Sequence, residues 1–377
     1  MSPAIVVVTY NRPNSLLRLL NSLSASIFEG QNVPLVISID FQNSEKHNEV
    51  VKISKSFEWL HGEKQIIEYN ENLGLRNHIL KCGELTSKFK SIVLLEDDIL
   101  VSPYFYNYVN QALNFYSNSN EIGGISLYNH CLNVNCNRPF QASLDGSDAY
   151  LMQFAQSWGQ CWTEDMWNDF YLWYQDNKVL HKTDDMPEFV LNWPSSSWLK
   201  FFIKYLVDTN KYFVYPAVSL STNFSDAGTH IKRNSTIFQV PLETGHRKYI
   251  FKSYSQSVKY DVFFERVQLK FPDCNIDDIC IDIYGTKPYN RDKRYWLTNR
   301  NLEFKIIGTY GLLMRPHELN IIFNVEGNDL FLYDTSQSVN RISNFNKSNS
   351  VELLYDIRAI SIRDLLKVLM SKISNKF

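Results

Sequence analysis

Residues Ala4-Ile5-Val6-Val7-Val8 form an unbroken apolar run rich in β-branched side chains, the pattern of a strand buried on both faces. Thr9-Tyr10-Asn11-Arg12-Pro13 breaks it. Leu16, Leu17, Leu19, Leu20 and Leu23 follow at the spacing of an amphipathic helix, with Asn14 or Ser15 as its cap. Leu35-Val36-Ile37-Ser38-Ile39 is a second buried strand, ending at Asp40. A polar helix is expected around residues 45–60 and a third strand from Lys64 to Tyr69. The loop Asn72-Leu73-Gly74-Leu75-Arg76 opens another helix. Ser91-Ile92-Val93-Leu94-Leu95 is a fourth strand that runs into Glu96-Asp97-Asp98.

Strands and helices alternating over about a hundred residues predict βαβ units and a parallel sheet. Ligands of such sheets bind outside the carboxyl ends of the strands. Three polar clusters fall at three such ends: Thr9–Arg12, Asp40 and Glu96–Asp98. The expected fold class is therefore α/β.

The middle of the chain, roughly 120–245, is less regular. It holds an aromatic stretch from Trp158 to Trp173, the pair Asp184-Asp185, and the segment Trp193–Trp198. The loop Ser225-Asp226-Ala227-Gly228-Thr229-His230 follows. Beyond about 250 short strand-like pieces appear, such as Ile279–Tyr284 and Leu319–Val325. Residues 336–350 read as a polar linker. From Val351 to Phe377, Leu, Ile and Val recur at helical spacing among Arg358, Arg363, Lys367 and Lys372. This tail is a candidate for a membrane-surface helix, with packing on its own protein as the alternative.

A length of 377 residues with 44% hydrophobic and 21% charged residues is ordinary globular composition. A net charge of −2 gives no electrostatic case for a nucleic-acid partner. The six cysteines are scattered, with no metal-ligand spacing, which fits a reduced, cytoplasmic chain. We find no signal-peptide pattern and no apolar run of about 18 residues that would span a membrane. Oligomeric state has no signature.

Three consecutive acids after a buried strand repel one another and desolvate poorly. A divalent cation such as Mn2+ or Mg2+ resolves that conflict, binding carboxylates together with phosphate oxygens. The plain alternative is a solvated acidic turn.

Val6-Val7-Val8-Thr9-Tyr10-Asn11-Arg12-Pro13 resembles the opening of family 2-type glycosyltransferases of the GT-A fold. Leu94-Leu95-Glu96-Asp97-Asp98-Ile99-Leu100-Val101-Ser102-Pro103-Tyr104-Phe105 resembles the metal-binding segment of the N-acetylglucosaminyltransferase I group. Asn72-Leu73-Gly74 recurs in these enzymes, and the Trp158-Gly159-Gln160-Cys161-Trp162 segment resembles one in bacterial relatives. The similarity covers about residues 3–235.

The resemblance implies a GT-A domain over 1–245, an extension over 246–377, and transfer from a nucleotide-sugar donor, with UDP expected, to a saccharide or lipid-linked saccharide. It implies that Thr9, Tyr10 and Arg12 line the nucleotide, Asp40 meets the base, and Glu96 and Asp97 hold the ribose and the sugar. Asp98 becomes the metal ligand and His230 a late second one, with Arg76 a further phosphate contact. Trp158, Trp162 and Trp198 are candidates for stacking on the acceptor, core packing being the alternative.

Related enzymes commonly place an aspartate after the Ser-Trp pair as catalytic base, where this chain has Leu199. An inverting transfer needs some carboxylate for that task. The candidates are Asp165, Glu164, Asp185 and Asp184, with Asp165 preferred and Asp185 the alternative. Surface-polysaccharide synthesis is the expected setting. A non-catalytic scaffold relative and a sugar nucleotidyltransferase are the competing readings.

Overall fold

The computed structural model describes residues 2–183, 185–224, 226, 237–271, 274–288, 293–339 and 360–374. The chain divides into two compact units, Met1–Arg266 and Val267–Phe377.

The first unit begins with β1 (Ala4–Thr9), α1 (Pro13–Ser24), β2 (Leu35–Ile39), α2 (Glu45–Ser56), β3 (Lys64–Glu68), α3 (Gly74–Gly83), α4 (Thr86–Phe89) and β4 (Ser91–Glu96). Then follow β5 (Ile99–Val101), α5 (Phe105–Tyr116), β6 (Ile122–Ser126), the short pair β7 (Leu132–Asn133) and β8 (Arg138–Pro139), β9 (Ala149–Met152) and β10 (Gln160–Thr163). It closes with α6 (Glu164–Asp176), α7 (Glu188–Leu191), α8 (Leu199–Asp208), β11 (Tyr212–Pro216), β12 (Ser221–Asn223) and β13 (Lys259–Tyr260).

Nine strands form one mixed sheet in the order β13-β9-β11-β6-β10-β4-β1-β2-β3. The half made of β4, β1, β2 and β3 is parallel, as the βαβ pattern predicts. All six residues of β1 are buried, which accounts for its uninterrupted apolar run. Pro13 at the start of α1 suits its fixed φ, and Leu16, Leu19, Leu20 and Leu23 are buried together on one face.

Two features of this sheet position the site. Val8 pairs with Glu96 across β1 and β4, so Thr9 emerges beside Asp97. β10 runs antiparallel to β4, with Gln160 opposite Leu94 and Thr163 opposite Ser91. Its beginning therefore lies toward the carboxyl rim of β4 and its end at the opposite rim. Residues 246–266, assigned from the sequence to the extension, belong to the first unit, because Lys259–Tyr260 adds a strand beside β9.

The second unit holds β14 (Ile279–Asp282), β15 (Tyr295–Thr298), β16 (Phe304–Tyr310), α9 (Leu319–Ile322), β17 (Leu330–Ser338) and the terminal α10 (Ile362–Ser374). Four strands pair in the order β14-β15-β17-β16. They cover a core that includes Ile281, Leu297, Leu330 and Leu332. Leu319–Val325 is a helical turn rather than a strand. Buried Asn320 fixes it by accepting from the backbone N–H groups of Leu313 and Met314, both at 2.9 Å. Residues 336–338 belong to β17 rather than to the linker expected at 336–350; residues 340–350 lie outside the described residues. No described helix is long and apolar enough to cross a membrane.

Candidate active site

The carboxyl ends of β1 and β4 bring together the first and third polar clusters of the sequence. Arg12 stands at the start of α1 and reaches both acids beyond β4. It forms an ion pair with Asp97 Oδ1 and a 3.0 Å hydrogen bond to Asp98 Oδ2. Thr9 Oγ1 donates to Asp97 Oδ2 at 2.8 Å in a buried contact. Thr9 is 2% exposed, so its hydroxyl orients Asp97 rather than facing a nucleotide.

Burial opposes the charge on Arg12, but Asp97 and Asp98, with Glu96 behind them, hold it protonated above its ordinary range. Burial raises the Asp97 carboxyl to about 6 against the pull of Arg12. Glu96 moves the same way, through burial and repulsion from Asp98. Asp98 Oδ1 is buried and has no hydrogen-bond partner.

A second clamp closes beside the first. Asp226 is ion-paired to Arg18 and accepts from Ser15 Oγ at 2.7 Å, both on α1. Although burial opposes its charge, Arg18 and Ser15 hold its carboxyl below the usual range. β12 pairs antiparallel with β5, and Phe224 N–H donates to Asp98 O at 3.0 Å. Residues 221–224 are thus stitched to β5 and the acidic turn, and Asp226 to α1. Asp97, Asp98 and Asp226 face the two guanidiniums of Arg12 and Arg18, with Glu96, raised to about 8, beside them largely protonated at neutral pH, a surplus of one negative charge.

That surplus and the orphaned Asp98 Oδ1 suit a hard divalent cation, which takes oxygen ligands and retains phosphate and water in its shell. Among the described residues no three His, Cys, Asp or Glu side chains converge as a closed metal cage. The residues fit an open site, with one or two carboxylates from the protein. His230 lies outside the described residues.

Asp40, at the end of β2, anchors a loop. It is 4% exposed, and its Oδ1 accepts from the backbone N–H of Phe41 at 2.9 Å and of Leu73 at 2.8 Å. Its Oδ2 accepts from Gly74 N–H at 3.1 Å. Both oxygens bind the loop that starts α3, so Asp40 fixes this loop. Asn72 ties the same loop to Tyr10, donating to its hydroxyl at 3.1 Å. Arg76, one turn on, lies over the ring of Phe201 at 4.5 Å, and its Nε is buried without a partner. Lys200 adds a second cation there; burial and then Arg76 lower its pKa. Sequence reading missed Lys200 and the Arg18–Asp226 clamp, because their partners are remote in the chain.

Asp165 is at the wrong rim. It follows the end of β10, whose reversed direction carries it away from Asp98 and toward Lys90. Neighbouring Glu164 is tied there, its N–H to Lys90 O at 2.9 Å and its carboxylate to Lys90 Nζ at 2.7 Å. Asp185 is bound by Lys204 Nζ at 2.7 Å; burial opposes its charge, but hydrogen bonds from Lys204 and Thr183 together with the Lys204 charge lower its pKa. Asp184 lies outside the described residues, and Asp185 does not begin a helix, which starts at Glu188.

Trp162 and Trp198 are core residues. Trp162 is fully buried, stacked on Phe202 at 5.6 Å and tilted against Trp167 at 5.0 Å. Trp198 is 2% exposed and meets Trp162 edge to face at 6.0 Å. Trp158 precedes β10 at the carboxyl rim, partly exposed, against Tyr128 and Phe238 at 4.7 Å each.

No family model and no curated protein matches this sequence. Among solved structures, the chain is similar to S. aureus TarS residues 1–349 in complex with UDP-GlcNAc. That match has 12% identity and a TM-score of 0.40, over 61% of this chain and 60% of that one. The same TarS fragment without ligand matches at 12% identity and a TM-score of 0.38, over 58% of each chain. The mannosyltransferase PcManGT from Pyrobaculum calidifontis, in complex with GDP-Man and Mn2+, matches at 10% identity and a TM-score of 0.36, over 58% of each. The chain thus spans less than two thirds of the length of these neighbours.

Proposed function

We propose that this chain transfers a sugar from a nucleoside diphosphate donor to an acceptor hydroxyl, on a GT-A-type sheet. The observation that carries the reading is the orphaned Asp98 Oδ1 in the cluster of acids at the carboxyl rim of β1 and β4. Asp98, with Asp97 behind it, would hold Mn2+ or Mg2+, which supplies charge neutralisation to a departing diphosphate.

The protein's own groups do the rest. Arg12 can exchange its bond to Asp98 for one to a phosphate oxygen, the geometry of a charge-assisted contact. Thr9 keeps Asp97 oriented while that exchange takes place. The Asp40-anchored loop sets the start of α3, and Arg76 with Lys200 offers further positive charge to the donor. Trp158 is the aromatic left to the acceptor side. The sequence resemblance supports UDP as the nucleotide, inversion as the stereochemistry, a saccharide or lipid-linked saccharide as acceptor, and surface-polysaccharide synthesis as the setting.

A second reading is a non-catalytic nucleotide-sugar-binding relative. It is supported by one observation: Asp165, the preferred base, follows the end of β10 at the rim opposite Asp98, and Asp185, the alternative, is held in an ion pair with Lys204.

Calorimetry with UDP, GDP and CDP, with and without Mn2+, tests the proposal on wild type and Asp98→Ala. Manganese-dependent binding of one nucleotide, lost in the variant, is expected. Absence of binding to all three under both conditions sinks the donor site. Donor hydrolysis or transfer by the wild type then separates enzyme from scaffold.

A further inference from the structure

The terminal helix α10 leaves its apolar side chains uncovered. Ile362 is 78% exposed, Met370 70%, and Leu366, Leu369 and Ile373 are each more than half exposed. At about 100° per residue, positions 362, 365, 366, 369, 370 and 373 line up as one stripe. Arg363 and Lys367 border that stripe on one side, and position 372, a lysine in the sequence, falls at its other border. Asp364 lies opposite the stripe, where it accepts from Ser361 Oγ at 2.7 Å and from Lys367 Nζ at 3.0 Å. Ser361 in turn accepts from the Asp364 N–H at 3.1 Å, a reciprocal cap that starts the helix locally.

A helix of 13 residues is marginal in water by itself, so the stripe calls for a cover. A second copy of the helix is disfavoured by charge. Pairing two stripes brings the cationic borders of the two copies together, and the one acid of the helix, Asp364, is already taken by Lys367 and the Ser361 cap. A surface of anionic headgroups over hydrocarbon matches both the apolar stripe and its cationic borders. The helix is about 20 Å long, too short to cross a bilayer and suited to lying flat.

We infer that α10 docks in the plane of an anionic phospholipid surface. The test uses the full chain with sedimenting vesicles of phosphatidylcholine alone and of phosphatidylcholine mixed equally with phosphatidylglycerol. Binding to the anionic vesicles, weakened by salt and slight on neutral ones, is expected. Arg363→Gln should lower that partition about fivefold, the worth of one basic residue near such a surface. Leu366→Glu combined with Leu369→Glu should abolish it with the melting temperature unchanged, since both side chains are exposed. Two outcomes overturn the inference. One is no wild-type binding to anionic vesicles at low salt; the other is a dimer in light scattering that the double variant dissolves, with lipid binding unaffected.

Discussion

Arg12 Nη1 and Asp98 Oδ2 lie 3.0 Å apart at the mouth of the acidic turn, joining the start of α1 to the end of β4. The same guanidinium is the counter-charge of Asp97, which is 2% exposed. Arg12→Ala therefore strands a buried carboxylate, a change that costs about 3–5 kcal/mol when no proton or ion compensates. Thermal unfolding of the variant should begin well below wild type at neutral pH. Added Mn2+ should restore part of the difference. An unchanged melting temperature would mean that the ion pair contributes nothing.

Asp40→Ala separates two roles for this residue. As the acceptor for three backbone N–H groups it should cost about 1–3 kcal/mol of stability even without nucleotide. A carboxylate reserved for a nucleotide base would leave unliganded stability untouched. Urea denaturation without nucleotide decides between them.

Trp162→Ala should destabilise the protein by about 3–5 kcal/mol, as expected for a fully buried aromatic. Trp158→Ala should cost distinctly less stability, because its ring is partly exposed, and should act on acceptor affinity instead. Matched denaturation curves and acceptor KM values for the two variants test this division. Equal stability losses would move Trp158 into the core.

Acid should weaken the fold through two buried histidines. Burial lowers His78 to about 4 and pushes His130 lower still than its ordinary value. Gln156 favours the same neutral form of His130. Its Oε1 accepts from the N–H groups of Ser157 and Trp158, so its amide nitrogen is left to donate to His130 Nε2 at 3.2 Å, which requires a neutral ring. Folded pKa values below the unfolded value of about 6.5 mean that this stability is full above that pH. It drains as the pH falls from there through 4. The raised Asp97 carboxyl acts with opposite sign, favouring the fold as the pH drops through about 6. Melting temperatures of wild type and His130→Asn between pH 7 and 4 should converge as the acid-sensitive ring is removed. Parallel curves would rule out His130 as the source.

The parallel half of the sheet was legible because strands buried on both faces have continuous apolar runs, and β1, β2 and β4 do. The meeting of Arg12 with Asp97 and Asp98 followed from the rule that strand ends converge. Four readings could not be drawn from sequence. The direction of β10 leaves no mark on its residue pattern, and that misplaced Asp165. Tryptophans have the same letter in a core and on a sugar platform, and Trp162 and Trp198 proved to be core. Asp40 ends a strand as a ligand-binding acid would, but its partners lie 33 and 34 residues away. The two-residue β13 is too short to announce itself, so the boundary of the first unit moved past residue 245.

The reversed β10 also gives the molecule two rims with different tolerances. One carries the acidic turn and everything packed around it; the other carries the exposed start of α6, where Asp165 points to solvent. A dye, a tether or a crystallisation handle attached at Asp165 would sit on the first turn of α6, at the rim opposite the acidic turn, and leave the site undisturbed. The strand β10, paired along β4, spans from the rim suited to chemistry to the rim suited to observing it.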